Sequence, residues 1–233
     1  MTDVFNEYLS KRISEINLPG IRRKAGPVIT ISRVAGCSVQ QIARILTEKL
    51  NQLNNENIWK VISKEILHES AEELKLHPDR IKPIFKAKNH NIFDDIINAF
   101  LSSDYNLEYK MRRTVINTIH RFAVEGYKII IGRGSNIICS DIEDSLNIRI
   151  DAPLEWRIKR CMGEKNMNRN EAVDFIEEIE RDRASFRRSI KGAKVKTEDY
   201  DLVINQEKFS NVEIAEIILK ALVIKNIIKD TVK

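Results

Sequence analysis

The chain has 233 residues, which is long enough for one sizeable α/β core or two small domains. Hydrophobic residues make up 42% and charged residues 31% of it, an ordinary soluble balance, and its longest apolar runs are far too short to span a membrane. The net charge of +5 permits an anionic partner, while three widely spaced cysteines and a first segment without a signal-peptide pattern argue against a disulfide framework and favour a reducing cytoplasm.

The chain opens on a predicted amphipathic helix and a basic connector, which together span residues 1–27. The β-branched run at 28–32 then predicts a buried strand. It breaks at Ala35-Gly36-Cys37-Ser38, and apolar residues recur beyond that point at helical spacing. A strand, a small-residue turn and a helix are the usual opening of a parallel α/β unit.

The middle of the chain is mostly helical by pattern. Residues 58–62 predict a second strand, and residues 64–100, interrupted by Pro78 and Pro83, predict two or three short helices inserted into the domain. One long helix is predicted over residues 105–125, because Gly126 follows it as a C-terminal cap.

The second half of the chain alternates strands with helices. Its predicted strands are residues 127–131, 146–150 and 200–204. Its predicted helices are residues 154–165, 170–189 and 211–228. Five short β-branched strands separated by helices predict a parallel sheet that is covered by helices on both faces.

Three turns follow predicted strands directly: the one at Gly36, the Gly132-Arg133-Gly134 turn and the one at Pro153. In sheets of this class, ligands bind beyond the carboxyl ends of the strands. We therefore expect these three turns to meet at one edge of the sheet.

The turn after the first strand has the plan of a phosphate site, because a strand, a glycine turn and a helix present backbone N–H groups to an anion. It is not a G-x-x-x-x-G-K-[ST] loop, since it has one glycine and no lysine. An ordinary β–α turn is the alternative. Arg133 follows the third strand, so its guanidinium can reach the same ligand crevice and form two parallel hydrogen bonds to an anion. Alternatively, it can pair with a carboxylate such as Asp141.

Arginines are concentrated in the last predicted helices before the fifth strand. Phosphoryl transfer needs positive charge around an anionic group, and arginines supply it. A solvated helix face interlaced with carboxylates is the alternative. The arginines are Arg157, Arg160, Arg169, Arg181, Arg183, Arg187 and Arg188.

Five segments in order resemble the cytidylate kinase-like family, a branch of the nucleoside monophosphate kinases with the P-loop hydrolase fold. They are Ile-Thr-Ile-Ser-Arg at 29–33, Gly-Cys-Ser-Val-Gln-Gln-Ile-Ala at 36–43, Ile-Ile-Ile-Gly-Arg-Gly at 129–134, Asp-Ala-Pro-Leu-Glu-Trp-Arg-Ile-Lys-Arg at 151–160 and Tyr-Asp-Leu-Val-Ile-Asn at 200–205. The resemblance extends from about residue 28 to residue 219.

This resemblance implies a three-layer fold, with the strand at 28–32 in the middle of a five-stranded parallel sheet. It implies a single kinase-like domain over residues 28–233, with a helical monophosphate-binding insertion at 64–100 and a lid at 165–192. The partners it implies are nucleotide substrates, with no membrane; it leaves a homodimer open.

The implied activity is transfer of a phosphoryl group from ATP, with Mg²⁺, to an acceptor of the CMP or dCMP type. The resemblance assigns residues to three groups. ATP would be bound by Arg33, Gly36, Cys37, Ser38 and Gln40; the acceptor would be bound by Arg133 and Glu180; and the transferring group would be neutralised by Arg157, Arg183, Arg187 and Arg188. Arg33 would either replace the lysine of other phosphate loops or clamp the loop.

The chain departs from the family pattern in its phosphate loop. Val39 stands at the usual lysine position, where we expect its side chain to crowd a phosphate, and Ser38 replaces a glycine. Ser63 replaces an acidic residue after the second strand, and Glu180 replaces an aspartate in the lid. These changes keep open a nucleotide-binding protein without catalysis and, less favoured, a nucleic-acid-binding module that uses the arginine helices.

Overall fold

The computed structural model of the protein describes residues 26–53, 57–63, 105–192 and 195–229. The predicted N-terminal helix and the predicted helices of 64–100 lie outside the described residues. Within these four segments, no helix is both long and apolar enough to cross a lipid bilayer.

Five parallel strands form one sheet, in the spatial order β2-β3-β1-β4-β5. The strands are β1 (Val28–Arg33), β2 (Lys60–Ile62), β3 (Lys128–Ile131), β4 (Ser145–Asp151) and β5 (Leu202–Asn205). The order confirms that β1 is central, between the strands that end at Ile131 and Asp151. Helices cover the sheet on both faces, which confirms the predicted three-layer α/β fold.

The central strand carries apolar side chains toward one face and polar ones toward the other. Ile29 and Ile31 are fully buried in the main core. On the opposite face, the hydroxyl of Thr30 donates to the side-chain oxygen of Asn147 on β4 at 2.7 Å. This bond satisfies two buried polar groups at the centre of the sheet, where each would otherwise be costly.

Six α-helices are described. They are α1 (Gln40–Leu53), α2 (Tyr105–Glu125), α3 (Ser135–Ile138), α4 (Leu154–Lys165), α5 (Arg169–Lys191) and α6 (Asn211–Ile224). On one face of the sheet, α1 and α6 pack together through Leu46, Leu50, Ile214 and Ile218. The other face is covered by α2 and α3.

The last two helices before β5 form a separate layer against the carboxyl edge of the sheet. Ile158 and Cys161 of α4 and Ile176 and Ile179 of α5 bury a small cluster together with Ala35, which belongs to the loop after β1. This cluster fixes α4 and α5 against that loop. A capping box of Asn168 and Glu171 starts α5 at Arg169.

Several boundaries differ from the sequence prediction for local reasons. The short helix α3 was not predicted, since it holds only four residues after a glycine-rich turn. The final helix ends at Ile224 rather than at residue 228, because Asn226 has a φ of 57° and cannot continue it. The second strand begins at Lys60, two residues later than predicted, because the side chain of Asn51 binds the backbone of Trp59.

Two glycines give a matched test of backbone packing. A Cβ on Gly126, whose φ is 76°, would lie 2.3 Å from the Cα of Gly26, whereas a Cβ on Gly163 in α4 would meet nothing within 4 Å. We expect Gly126→Ala to lower the free energy of unfolding by about 2–4 kcal/mol. Gly163→Ala should raise it by about 0.5–1 kcal/mol. Urea unfolding of both variants checks the pair, and equal effects would contradict this packing.

Candidate functional site

In the loop between β1 and α1, both the backbone conformation and close packing require a glycine at position 36. Gly36 has a φ of 86°, and a Cβ added there would lie 2.8 Å from the Cβ of Arg157 and 3.2 Å from its Cα. The backbone of α4 therefore rests directly on the loop, as a glycine at this point permits.

Side chains from α4 and α5 hold the main chain of this loop. The guanidinium of Arg157 donates from Nε to the carbonyl of Ala152 at 3.0 Å and from Nη1 to the carbonyl of Ala35 at 3.1 Å. The carboxylate of Glu180 accepts from the amide of Ala35 at 2.8 Å and lies 3.5 Å from Arg157 Nη1. Both polar groups of Ala35 are thus occupied by side chains from the two helices.

Gln206, directly after β5, also forms hydrogen bonds with the main chain of this loop. Its side-chain oxygen accepts from the Ser38 amide at 3.1 Å, and its Nε2 donates to the Ser38 carbonyl at 2.6 Å. The same Nε2 donates to Asn211 at 3.0 Å. Sequence analysis missed Gln206, and its one available signal was a large polar side chain directly after a predicted strand.

The side chain of Val39, at the usual lysine position, points into the core. It is completely buried among the residues that pack α1 against the sheet. The expectation that Val39 crowds a phosphate is therefore wrong, since its side chain leaves the cleft. The next residue, Gln40, accepts from the Ser38 hydroxyl at 2.9 Å and from the Val39 amide at 3.3 Å.

Two adjoining pockets open at this edge of the sheet. The first, here called the loop pocket, lies against the loop and beside α4 and α5. It is lined by Arg33, Gly36, Cys37, Ser38, Gln40, Lys165 and Arg183, together with Ala35, Cys161, Glu164, Phe175 and Ile179. All five residues assigned to ATP from the sequence line this pocket.

The second, here called the arginine pocket, lies between the ends of β1, β2 and β3 and the helix α5. It is lined by Arg33, Arg133, Arg183 and Arg187, with Ser32, Ser63, Ile131, Gly132, Gly134 and Phe186. Arg33 and Arg183 line both pockets, so the two spaces meet at these residues. A hydrogen bond of 3.0 Å from Arg183 Nη1 to the carbonyl of Arg33 joins α5 to the end of β1 there.

The described residues that line the arginine pocket include four arginines. Burial and the nearby guanidinium groups of Arg183 and Arg133 lower the pKa of Arg33 to about 9, so Arg33 remains a cation at neutral pH under electrostatic strain. None of the described lining residues is a carboxylate. An anion bound there would relieve this strain.

The backbone around Arg133 also stores strain. Gly132, Arg133 and Gly134 have successive φ values of 69°, 59° and 66°. The left-handed region costs a residue with a Cβ on the order of 1 kcal/mol, and such positions cluster at ligand sites. The turn directs Arg133 into the pocket at that cost.

Three of the predicted site residues line neither pocket. Arg157 and Glu180 are bound to the loop main chain as described above, and Arg188 is exposed on α5. Cys37 lines the loop pocket, but burial raises the pKa of its thiol to about 12, so the thiol is neutral at physiological pH. The positive charge at the two pockets therefore belongs to a smaller set of arginines than the sequence indicated.

The described residues do not fit a magnesium site of their own. No group of three His, Cys, Asp or Glu residues within the described segments could hold a metal ion. The Ser38 hydroxyl is bonded to Gln40, and the two oxygens of Asp151 are engaged by Arg149 and the Ala152 amide. Magnesium commonly relies on substrate phosphates and water for most of its ligands.

The profile of the cytidylate kinase-like family matches residues 28–208. The chain belongs to the cytidylate kinase-like family. This match covers β1 to the turn after β5, and therefore both pockets. No curated protein matches the sequence significantly.

Solved structures are similar to this chain at low sequence identity. An uncharacterized protein from Eubacterium ventriosum is 20% identical, with a TM-score of 0.59 over 84% of this chain and 97% of that chain. Shikimate kinase from Acinetobacter baumannii, in complex with shikimate, is 15% identical, with a TM-score of 0.44 over 90% of this chain and 97% of that chain. Dephospho-CoA kinase from Campylobacter jejuni is 14% identical, with a TM-score of 0.41 over 84% and 97%.

The contact between Glu180 and Ala35 predicts a graded loss of stability. Glu180→Ala leaves the Ala35 amide without its acceptor and should lower the free energy of unfolding by about 1–3 kcal/mol. Glu180→Gln retains an oxygen for that amide, so we expect a smaller loss. The exposed neighbour Glu178 is the control, and Glu178→Ala should change stability by less than about 0.5 kcal/mol. Urea unfolding of the three variants tests the order; similar losses in all three would contradict it.

Proposed function

We propose that the protein is an ATP-dependent phosphotransferase whose two substrates occupy the two pockets. The observation that carries this proposal is the meeting of the loop pocket and the arginine pocket at Arg33 and Arg183. A donor phosphate in one pocket and an acceptor in the other would place the transferring group between these two guanidiniums. Membership of the cytidylate kinase-like family supports the same assignment.

The charge of the site suits this chemistry. In phosphoryl transfer, the protein itself forms few or no covalent bonds with the substrates. Catalysis therefore consists of positioning the two substrates and of stabilising the negative charge on the equatorial oxygens of the transferring group. Arg33 and Arg183 would stabilise that charge, and Arg187 would add to it from the arginine pocket. Residues 165–192 are proposed as the closing lid, because α5 lines one side of both pockets.

The acceptor is proposed to be a phosphate monoester rather than an alcohol. An alcohol needs a general base to take up its proton, whereas a phosphate monoester is already an anionic nucleophile near neutral pH. The described residues of the arginine pocket supply cations and hydroxyls, and neither carboxylate nor imidazole. Arg133 is proposed to bind the phosphate of a CMP or dCMP type acceptor.

The altered loop favours a second candidate, a nucleotide-binding protein without catalysis. Val39 occupies the position of the usual lysine and is buried in the core. That lysine supplies positive charge to the β- and γ-phosphates in other P-loop enzymes. If Arg33 does not replace it, binding could persist while transfer is lost.

The Arg133 assignment predicts a selective defect in acceptor binding. We expect Arg133→Ala to raise the KM for the monophosphate by about 10–100-fold, because a charged hydrogen-bonding partner is removed. The KM for ATP should change little, since Arg133 does not line the loop pocket. The measurement is ATP-dependent phosphorylation of CMP, dCMP, UMP and AMP, with Mg²⁺ present. Arg44→Ala is the control, because Arg44 is exposed on α1 and paired with Glu48.

The same assay separates the two candidates. Transfer to at least one monophosphate that collapses in Arg33→Ala supports the enzyme and the replacement of lysine by Arg33. Measurable nucleotide binding without transfer to any acceptor supports the non-catalytic protein. Val39→Lys is expected to lose stability rather than to restore a phosphate-binding lysine, because it places a charge in the core.

A further inference from the structure

The amide groups of the phosphate loop are occupied by the protein itself. A loop of this kind binds phosphate through main-chain N–H groups that point toward the ligand. Four of the five amides from Ala35 to Val39 have a protein acceptor here. They donate to Glu180, to the Val34 carbonyl, to Gln206 and to Gln40, at distances of 2.8, 3.2, 3.1 and 3.3 Å.

The acceptor of the Ser38 amide is built into the fold. Gln206 is 6% exposed and uses both ends of its side-chain amide on the main chain of Ser38, in the manner of a short strand pairing. Asn211 accepts from the same nitrogen and in turn donates to Gln41 of α1, at 3.0 and 2.8 Å. A phosphate could reach the Ser38 amide only by breaking this connected set of bonds.

Side-chain cations border the same space. Arg33, Lys165 and Arg183 line the loop pocket, and its one carboxylate among the described lining residues, Glu164, accepts from Arg160 at 2.7 Å. A guanidinium binds phosphate in a bidentate manner and needs no free main-chain amide.

We propose that this protein binds the donor's phosphates through the side chains of Arg33, Lys165 and Arg183, and that four main-chain amides of the loop are closed to them by acceptors of the protein, with Gln206 closing the Ser38 amide. This inference rests on the proposed function for the identity of the donor. It assigns Gln206 as a positioning residue, which holds the main chain of Ser38. The match to the family profile does not by itself distinguish phosphate binding by these side chains from phosphate binding by the main-chain amides of the loop.

The two modes respond in opposite ways to variants, and inorganic pyrophosphate and ATP are the probes. If side chains bind the phosphates, Arg33→Met should weaken both probes by about 10–100-fold. Gln206→Met, which removes the acceptor of the Ser38 amide, should leave affinity unchanged or weaken it. If the amides bind the phosphates, Gln206→Met should tighten binding, because the ligand no longer displaces the glutamine. Arg44→Met is the matched arginine control.

Gln206 is buried, so Gln40→Met at the loop surface repeats the test without risk to the core. It removes the acceptor of the Val39 amide and should likewise fail to tighten binding. Isothermal titration calorimetry with each probe gives the dissociation constants, and circular dichroism verifies that each variant folds.

Each result decides the inference independently of catalysis. Weak binding in Arg33→Met, with no gain in the glutamine variants, supports it even if no acceptor is phosphorylated, in which case only the proposed function fails. Tighter binding in Gln206→Met or Gln40→Met, or unchanged binding in Arg33→Met, overturns it even if transfer is active. Absence of binding of both probes to the unmodified protein overturns it as well.

Discussion

The site depends on the way the loop after β1 is held. Its main chain is bound from three directions, by Arg157 of α4, by Glu180 of α5 and by Gln206 after β5. Gly36 permits this arrangement, because any larger residue would collide with the backbone of α4. The loop is therefore held to the sheet edge, to α4, which lines the loop pocket, and to α5, which lines both pockets.

This attachment concentrates positive charge at the end of β1. Because α5 packs against the loop, Arg183 lies beside Arg33. The strained turn after β3 places Arg133 near the same point. Placing like charges together in a half-buried space costs free energy. The fold supplies the energy for this cost from the apolar packing of the sheet and of the cluster around Ile158 and Ile176.

The residues assigned from the sequence divide into two groups in the structure. Arg33, Arg133, Arg183 and Arg187 line the pockets, and they are the ones that follow strand ends or face the sheet edge from α5. Arg157 and Glu180 have the right residue types for a site, yet their hydrogen bonds go to Ala35 and Ala152. In this protein, a charged side chain near the loop after β1 can have a structural role, because its hydrogen bonds go to the main chain of the loop.

The sequence by itself determined the five strands, their parallel direction and the edge of the sheet at which the strand-end turns lie. These follow from β-branched runs, helical spacing and glycine turns, all of which act over a few residues. Only the tertiary structure decided which donors face the pockets. Ser38 and Gln206 are 168 residues apart in the chain, and Ala35 and Glu180 are 145 apart. No local pattern encodes such a bond, because it exists only once the sheet has brought the ends of β1 and β5 and the helix α5 together.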